Sequence, residues 1–523
     1  MIANSMSSVP ILNIDILREI AWLSDRRTCA ALVSTCRFFY QEAAKCLLHY
    51  PVRLRDYFGR DVGTFVHFLG PDSRKRASYV RDLRLQGCYH VSPETVSAFQ
   101  RVVSQMTGLQ CLVIEDEVLC YIPSLTDTLA DLTSLRRLQI IGAGERTCDF
   151  LTYLQSNIIS LSVDWDDDDG NWFRSQGMGE EEWADYHPVP LLAKWSSSLE
   201  ELTCEAWDTA STLPKFTEVY PRMRRLVING ANSPLVAPYI RAYPNLASLS
   251  VQLSSVLDFH LPAYEERSRH RALNICSQEA VDGPGTWQNL EEYIGSLADL
   301  YLLGLTCRIP RVVLLKYLSK RDLEPLSAVL TYAQPTHLKL EGDGALLGHP
   351  THSLQIILRE AGLSQLESLV VAIDLYRAQK ELDVGAELNM LAAVLIQLPL
   401  RRLRLRVSGY GLGAPDDPWD DIEDDPNAIL RHLHNPPALS SSGPCRGEST
   451  FLDLDIDVFF QELTDACPSL GDVVVELLAD DNYRCRQVIP EDAGGIRGEH
   501  QTLLYEFRQE RSFLDFLASM DED

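Results

Sequence analysis

The sequence has no long apolar run and few cationic side chains. No segment approaches the roughly 20 apolar residues that span a bilayer, and Met1–Pro10 lacks the basic stretch and apolar core of a secretion signal. Lysine and arginine number 47 against 74 aspartates and glutamates, which gives a formal net charge of −27. This charge disfavours general attraction to nucleic acid or anionic lipid. We therefore expect a cytoplasmic or nuclear protein that binds neither membrane nor nucleic acid.

Motifs for metal binding and catalysis are also missing. The 13 cysteines include no C-x-x-C pair, which argues against a zinc knuckle or a redox dithiol and favours reduced, mostly buried thiols. The acidic run Asp164–Gly170 fails as a calcium loop because Trp165 stands where the first carboxylate belongs. Gly409–Gly413 and Gly142–Gly144 are glycine-rich, but we expect no helix behind either to bind phosphate. The sequence thus predicts no enzyme, no cofactor and no metal site.

What the chain does have is a repeated pattern, L-x-x-L-x-L, along most of its length. The better-ordered copies recur every 20 to 29 residues or so, the period of leucine-rich repeats. The alternation buries every second residue of a short strand, and the segment that follows returns the chain to place the next strand beside it. Clear copies are Leu109–Ile114, Leu135–Ile140, Leu199–Cys204 and Met223–Ile228, and further copies are expected to begin at Leu246, Leu300, Leu366, Leu400 and Leu470.

This pattern predicts an α/β fold over residues 53–493. The resemblance is to leucine-rich repeat proteins with irregular, helix-bearing repeats, which implies a right-handed α/β solenoid with parallel strands. Glu94–Met106, which carries Val96, Phe99 and Val102, is one of the expected helices. The alternative is an ordinary doubly wound sheet, which would have fewer strands and no repeated opening leucine.

Breaks in the repeat spacing mark three expected insertions, near residues 164–187, 253–297 and 408–447. In the second, Arg267–Arg271 suggests a polar excursion, after which Trp287–Leu290 is expected to resume a helix. The third is rich in proline, glycine, serine and aspartate, as in a loop or hinge. Residues 494–523 are expected to form a capping helix, Leu503–Leu517, and an acidic tail, because a solenoid needs its open end covered.

A separate helical module is expected at residues 1–52. Asn13 is a good N-cap for a first helix, and the polar break Ser24–Arg27 separates that helix from two more short ones. The first helix carries apolar side chains at three-residue spacing, widened by one more at Ile16: Ile14, Leu17, Ile20 and Leu23. Three short helices bury little core, so such a module needs a partner or a flanking domain to cover its apolar faces.

The order of residues in this module resembles the F-box, which docks substrate receptors onto the SKP-type adaptor of cullin ubiquitin ligases. The run Leu12–Ile20, then Leu23, then Leu32–Phe39 carries the resemblance. Many F-boxes have Leu-Pro where this chain has Leu12-Asn13, and Asp15 replaces the more usual Glu. The resemblance implies these adaptor-facing or core residues: Leu12, Ile16, Leu17, Ile20, Leu32, Cys36 and Phe39. The alternative is an ordinary helical cap over the first repeat.

Side chains between the apolar repeat positions are expected on the concave, solvent-facing side of the sheet. The arginines among them are candidate partner-binding residues: Arg137, Arg225, Arg402, Arg404 and Arg406. Three guanidinium groups on one strand suit a carboxylate-rich or phosphorylated partner, but pairing with the acidic run Asp416–Asp425 is an equal alternative. Five tryptophans are candidate interface anchors, with core packing as the alternative: Trp165, Trp172, Trp183, Trp195 and Trp207.

These features favour a substrate receptor of an SCF-type ubiquitin ligase, whose partners would be the SKP-type adaptor, the cullin ligase and a protein substrate. A leucine-rich repeat scaffold without an adaptor is the second possibility. The third is an enzyme or small-molecule receptor with a pocket in the repeats, which would need converging polar residues that spacing does not reveal.

Overall fold

The computed structural model describes residues 13–55, 60–70, 73–87, 91–167, 170–177, 182–209, 216–253, 264–280, 282–376, 379–412, 445–479 and 482–488. Leu12, the acidic run Asp416–Asp425 and the predicted helix Leu503–Leu517 lie outside these residues. The chain divides into two units, Met1–Pro244 and Asn245–Asp523, which are described in turn.

Three helices open the described part of the first unit: α1 (Ile14–Leu23), α2 (Arg26–Val33) and α3 (Arg37–His49). Asn13 caps α1 by accepting the Asp15 N–H at 3.0 Å, and Asp25 caps α2 by accepting the Thr28 N–H at 2.7 Å. The helices enclose a small core of buried residues: Ala21, Cys29, Ala43 and Cys46. Three short helices are therefore present where the sequence predicts them.

The repeats of the first unit form parallel strands that join the sheet in chain order. These strands are β1 (Val52–Arg55), β2 (Asp82–Gln86), β3 (Cys111–Glu115), β4 (Arg137–Ile141), β5 (Ser160–Asp164), β8 (Glu201–Glu205) and β9 (Arg225–Asn229), with a hairpin of β6 (Asp166–Asp167) and β7 (Gly170–Asn171) between β5 and β8. The second apolar residue of each repeat pairs in register with the same position of the next: Leu83, Leu112, Leu138, Leu161, Leu202 and Leu226. All six leucines are buried, because alternate side chains of a strand share one face.

Helices connect these strands. The described helices of the first unit after α3 are α4 (Arg60–Leu69), α5 (Ser73–Ala77), α6 (Pro93–Val103), α7 (Asp116–Tyr121), α8 (Pro123–Ala130), α9 (Glu145–Tyr153), α10 (Trp172–Ser175), α11 (Pro188–Leu191) and α12 (Val236–Ala242). The helix predicted at Glu94–Met106 is α6, which Ser92 caps by accepting the Thr95 N–H and which has Pro93 in its first turn.

The first predicted insertion has an aromatic core. Asp164 is the last residue of β5, so the insertion starts one residue later than predicted. The Trp165 ring lies 4.9 Å from Phe173 and 5.4 Å from Trp207, centroid to centroid. Four of the five candidate tryptophans are buried: Trp165, Trp183, Trp195 and Trp207. Core packing, rather than an interface role, accounts for these four, and only Trp172 is half-buried.

The second unit also adds parallel strands in chain order. These are β10 (Ser248–Gln252), β11 (Glu292–Gly295), β12 (Arg311–Leu314), β13 (His337–Asp343), β14 (Ser368–Tyr376), β15 (Arg402–Gly411) and β16 (Asp472–Ala479), followed by β17 (Asn482–Val488), which pairs with β16 antiparallel. Its register ladder continues the repeat pattern: Leu249, Tyr293, Val312, Leu338, Leu369, Leu403 and Val473. Each unit is thus an α/β assembly built as a solenoid is, with mostly parallel strands.

The described helices of the second unit are α13 (Tyr264–Glu279), α14 (Leu297–Leu303), α15 (Leu323–Ala333), α16 (Ala345–Gly348), α17 (Leu354–Glu360), α18 (Val384–Leu395), α19 (Arg446–Asp453) and α20 (Ile456–Ala466). The third insertion was predicted near residues 408–447; β15 continues to Gly411, three residues beyond the first bound, and α19 begins at Arg446, one residue before the second. Gly409 and Gly411 therefore belong to the strand itself.

The prediction of a repeat at Leu300 is wrong, because Leu300 lies in α14. The repeat strand there is β11, which has Tyr293 and Gly295 at the positions where the clear repeats have apolar aliphatic residues or cysteine. A Cβ on Gly295 would lie 2.1 Å from the Val251 carbonyl oxygen and 2.6 Å from the Tyr293 hydroxyl. Only glycine fits this position, so the leucine pattern is interrupted.

Two further predictions in this region are wrong. Trp287–Leu290 is irregular rather than helical, and Arg267–Arg271 lies inside α13 rather than in a loop. The packed side of α13 is polar: the Arg271 guanidinium lies 4.5 Å from the Tyr301 ring centroid, and the Asn274 amide donates to the Leu302 carbonyl at 3.0 Å. Hydrogen bonds and stacking of polar side chains attach α13 to the neighbouring helix, so the helix has no clear period of apolar residues that would reveal it in the sequence.

Candidate docking surface

The first helix leaves an apolar face in solvent. Ile16 is 50% exposed, Ile20 40% and Leu23 85%. Because these residues are spaced by four and then three positions, they lie on one side of α1. Ala21 points into the module core and is fully buried, and Leu17 is half-buried beside it. We call Ile16, Ile20 and Leu23 the docking face.

One ion pair, Arg18–Glu42, links a different side of α1 to α3. The Arg18 guanidinium lies 3.1 Å from the Asp15 carboxylate and 3.4 Å from the Glu42 carboxylate, and Lys45 contacts Glu42 at 2.7 Å. The Lys45 hydrogen bond is the main reason that the pKa of Glu42 is lowered, and Arg18 contributes. Since residues two apart on a helix do not face each other, Arg18 holds α1 without covering Ile16 or Ile20.

The other residues implied by the F-box resemblance are divided between core and surface. Leu32 and Phe39 pack partly buried against the module core, and Cys36 is exposed at the N-cap of α3. The implied set omits three exposed apolar residues of α1, Ile14, Leu23 and Trp22, the last with its ring centroid 5.6 Å from that of His49. Leu23 was detectable, because it continues the three-residue spacing of the helix.

In both units, we call the side of the sheet opposite the register ladder the variable face. The candidate arginines of the first unit lie on this face. Arg137 is exposed and Arg225 is half-buried. They occupy the same register row, separated by Ser160 of β5 and Glu201 of β8. The Ser160 hydroxyl donates to the Glu201 carboxylate at 3.0 Å. The two arginines therefore share a row in which a carboxylate stands between them.

The three arginines of β15 differ in exposure. Arg402 and Arg406 are half-buried, whereas Arg404 is only 5% exposed, so a solvent-facing position was wrong for Arg404. The reason is its register neighbours, Val370 of β14 and Val474 of β16, which are themselves buried. Along β15, Arg402, Arg404 and Arg406 alternate with the residues of the register ladder, as the sequence predicts.

Asp472 of β16 supplies the counter-charge for two of these arginines. It lies 2.6 Å from Arg404 Nη2 and 3.3 Å from Arg402 Nε. Among the described residues, the carboxylate partner of Arg402 and Arg404 is therefore on the next strand, and the predicted pairing with Asp416–Asp425 lies outside the described residues.

The described residues bear on a metal site and on phosphate binding at Gly142–Gly144. Within them no group of three or more His, Cys, Asp or Glu side chains is placed to hold a metal ion. Contrary to expectation, a helix does begin behind Gly144, namely α9. A Cβ on Gly144 would lie only 3.1 Å from the Asp116 carboxylate, so an acidic group stands where a phosphate would have to bind.

The cysteines of the described residues are all free thiols, but fewer are buried than expected. Five of them are buried: Cys29, Cys46, Cys204, Cys307 and Cys467. Cys36, Cys120 and Cys276 are exposed. Burial raises the pKa of the half-buried Cys111 thiol to about 11, which keeps it protonated at neutral pH.

Searches with known proteins return no match: no protein-family model matches this chain, and no curated protein does. Among the helices that the structure describes, none combines the length and apolar character needed to cross a bilayer.

Proposed function

We propose that this protein is the substrate-recognition subunit of an SCF-type cullin ubiquitin ligase and acts in the cytoplasm or nucleus. In this proposal the helices α1–α3 dock the SKP-type adaptor, and the repeats bind the protein to be ubiquitinated. The observation that carries the proposal is the docking face, three large apolar side chains exposed on one side of a helix. Helices that present apolar residues at this spacing commonly dock into a partner's groove.

The ion pairs of Arg18 support this role. Docking of a helix requires that its apolar side chains be presented in a defined arrangement, and the Arg18–Glu42 pair helps to hold α1 on α3 from another side. The caps at Asn13 and Asp25 hold the first turns of α1 and α2.

Catalysis would belong to other subunits of the ligase. The protein would contribute proximity, by holding a substrate lysine near the charged conjugating enzyme. No catalytic side chain of this chain is required for that role.

Capture of a purified SKP-type adaptor by the full chain tests the proposal. The variant Ile16→Lys/Ile20→Lys places two charges on the docking face and should abolish capture. Ile14→Lys and the single variant Ile20→Lys form the matched comparison, because Ile14 is 56% exposed on the same helix but lies off the docking face. Loss of capture by the docking-face variants but not by Ile14→Lys supports the proposal, and no capture by the unaltered chain overturns it.

A leucine-rich repeat scaffold without a ubiquitin-ligase role is the alternative. It rests on the same described strands, in which the repeats form a continuous register ladder within each unit. Failure of the unaltered chain to capture the adaptor would favour this alternative, with α1–α3 acting as a helical cap of the repeats.

A further inference from the structure

Two neighbouring strands of the second unit carry aspartates at the same register near their C-terminal ends. Asp343 is the last residue of β13, and it pairs in register with Asp374 near the end of β14. Both residues alternate with the buried ladder positions and so lie on the variable face. Neighbouring strands are about 4.8 Å apart, so two like charges share one small area of this face.

These carboxylates have little counter-charge. Loss of hydration on burial is the main cause that raises the pKa of Asp343 and the pKa of Asp374. Asp322 raises the pKa of Asp343 further, whereas Arg406 and the Ser408 hydroxyl oppose the rise at Asp374. Asp343 also accepts the Ala345 N–H at 2.8 Å. The pair is thus half-buried with its negative charge only partly balanced.

Two tyrosines border the aspartates. The Tyr317 hydroxyl donates to the Asp374 carbonyl oxygen at 3.4 Å, and the Tyr317 ring stands edge-on to the Tyr376 ring with centroids 6.2 Å apart. Tyr376 is 48% exposed. Phenol rings attract ammonium and guanidinium groups through the negative charge of the ring face. We call Asp343, Asp374, Tyr317 and Tyr376 the acidic–aromatic surface.

This combination suits an organic cation better than a metal ion. Calcium takes six or more oxygen ligands, and two carboxylates beside two rings do not supply them. A lysine ammonium group can instead form charge-assisted hydrogen bonds with carboxylates while its alkyl chain rests on an aromatic ring.

We propose that the acidic–aromatic surface binds a lysine or arginine side chain on a basic segment of the target protein. The inference rests on the proposed function, because the target is the protein that the repeats select. Charge complementarity supports this occupant, since a chain with a net charge of −27 attracts basic partners over a long range. The surface then gives that general attraction a local, geometrically defined contact.

Titration calorimetry of the full chain with a hexalysine peptide tests the proposal. The variant Asp343→Asn/Asp374→Asn keeps the shape of both side chains and their capacity to accept hydrogen bonds, so the fold is retained. Its affinity for hexalysine should fall about tenfold. The control Glu360→Gln/Glu462→Gln removes the same charge from two exposed helix positions and should change the affinity by no more than about twofold.

Equal losses in the two variants would overturn the proposal, because the attraction would then depend on net charge alone. Unchanged affinity in Asp343→Asn/Asp374→Asn would overturn it as well. Tyr376→Leu should weaken binding to a smaller extent, and a fully acetylated hexalysine should not bind. Adaptor capture should be the same for the aspartate variant and the unaltered chain. If the unaltered chain captures no adaptor, the proposed function is wrong, but the affinity for hexalysine still tests the acidic–aromatic surface.

Discussion

The Arg404 guanidinium and the Asp472 carboxylate form an ion pair between β15 and β16 that is buried on the arginine side, with Nη2 of Arg404 2.6 Å and 2.9 Å from the two carboxylate oxygens. Arg404 cannot recover water as an alternative partner, because it is only 5% exposed. The pair therefore makes the contact between these two strands sensitive to the loss of either partner.

Asp472→Asn should lower the free energy of unfolding by about 3 kcal/mol, because it leaves a buried guanidinium without its counter-charge. Urea denaturation of the full chain measures this change. Glu367→Gln is the control, since the Arg401–Glu367 pair is 3.8 Å long and more than half exposed on both sides, and it should cost less than about 1 kcal/mol. Equal effects of the two variants would mean that burial does not set the strength of the pair.

Ala21→Leu should destabilise α1–α3 by about 1–3 kcal/mol, since it adds atoms to a fully buried position. Leu23→Ala, two residues along the helix and 85% exposed, should change the stability by no more than about 0.5 kcal/mol. Hydrogen–deuterium exchange of peptides from residues 13–50 gives the readout. Faster exchange in Leu23→Ala would show that Leu23 packs on the protein and is not free to dock a partner.

Trp165→Ala should lower the free energy of unfolding by about 3–5 kcal/mol, as expected for the loss of a large side chain from a packed core. Its ring is fully buried among the aromatic rings of α10 and the β8 end. The near-ultraviolet circular dichroism of the folded chain should weaken together with the unfolding midpoint. Trp22→Ala is the comparison, because Trp22 is exposed, and a loss of similar size there would contradict the assignment of Trp165 to the core.

Asp343→Asn/Asp374→Asn should be more stable than the unaltered chain at pH 7. Folding raises the pKa of both carboxyls above the unfolded value of about 3.9, so between the two values the folded chain binds more protons than the unfolded chain. Their contribution to stability is fully present below the unfolded pKa and is lost as the pH rises through the folded pKa. Thermal unfolding should therefore show that the variant exceeds the unaltered chain in unfolding temperature by more at pH 7 than at pH 4. A gain of the same size at both pH values would contradict a raised pKa.

The repeat strands were predictable because their signal is local. Leu112, Leu138, Leu202 and Leu226 all stand at the second apolar position of the pattern, and in each case the structure buries that position in the register ladder. A side-chain period of two residues is visible in a sequence without knowledge of the strand's neighbours.

Features that depend on contacts with distant segments escaped prediction. Gly295 is required because the Val251 carbonyl oxygen of the neighbouring strand β10 comes so close, and such a backbone approach has no signature in the sequence. The burial of Arg404 comes from Val370 and Val474, which lie on other strands. Within the docking face, Ile16 and Ile20 were predicted as adaptor-facing or core residues, but only the structure shows that they are exposed while Leu17 turns inward.

The caps and ion pairs of α1 also bear on how fast a partner can associate. A helix that is folded before encounter loses little backbone entropy when it is bound, so the free energy of its apolar contacts is available for affinity. Association at Ile16, Ile20 and Leu23 would then be limited by collision and orientation, rather than by a folding step during binding.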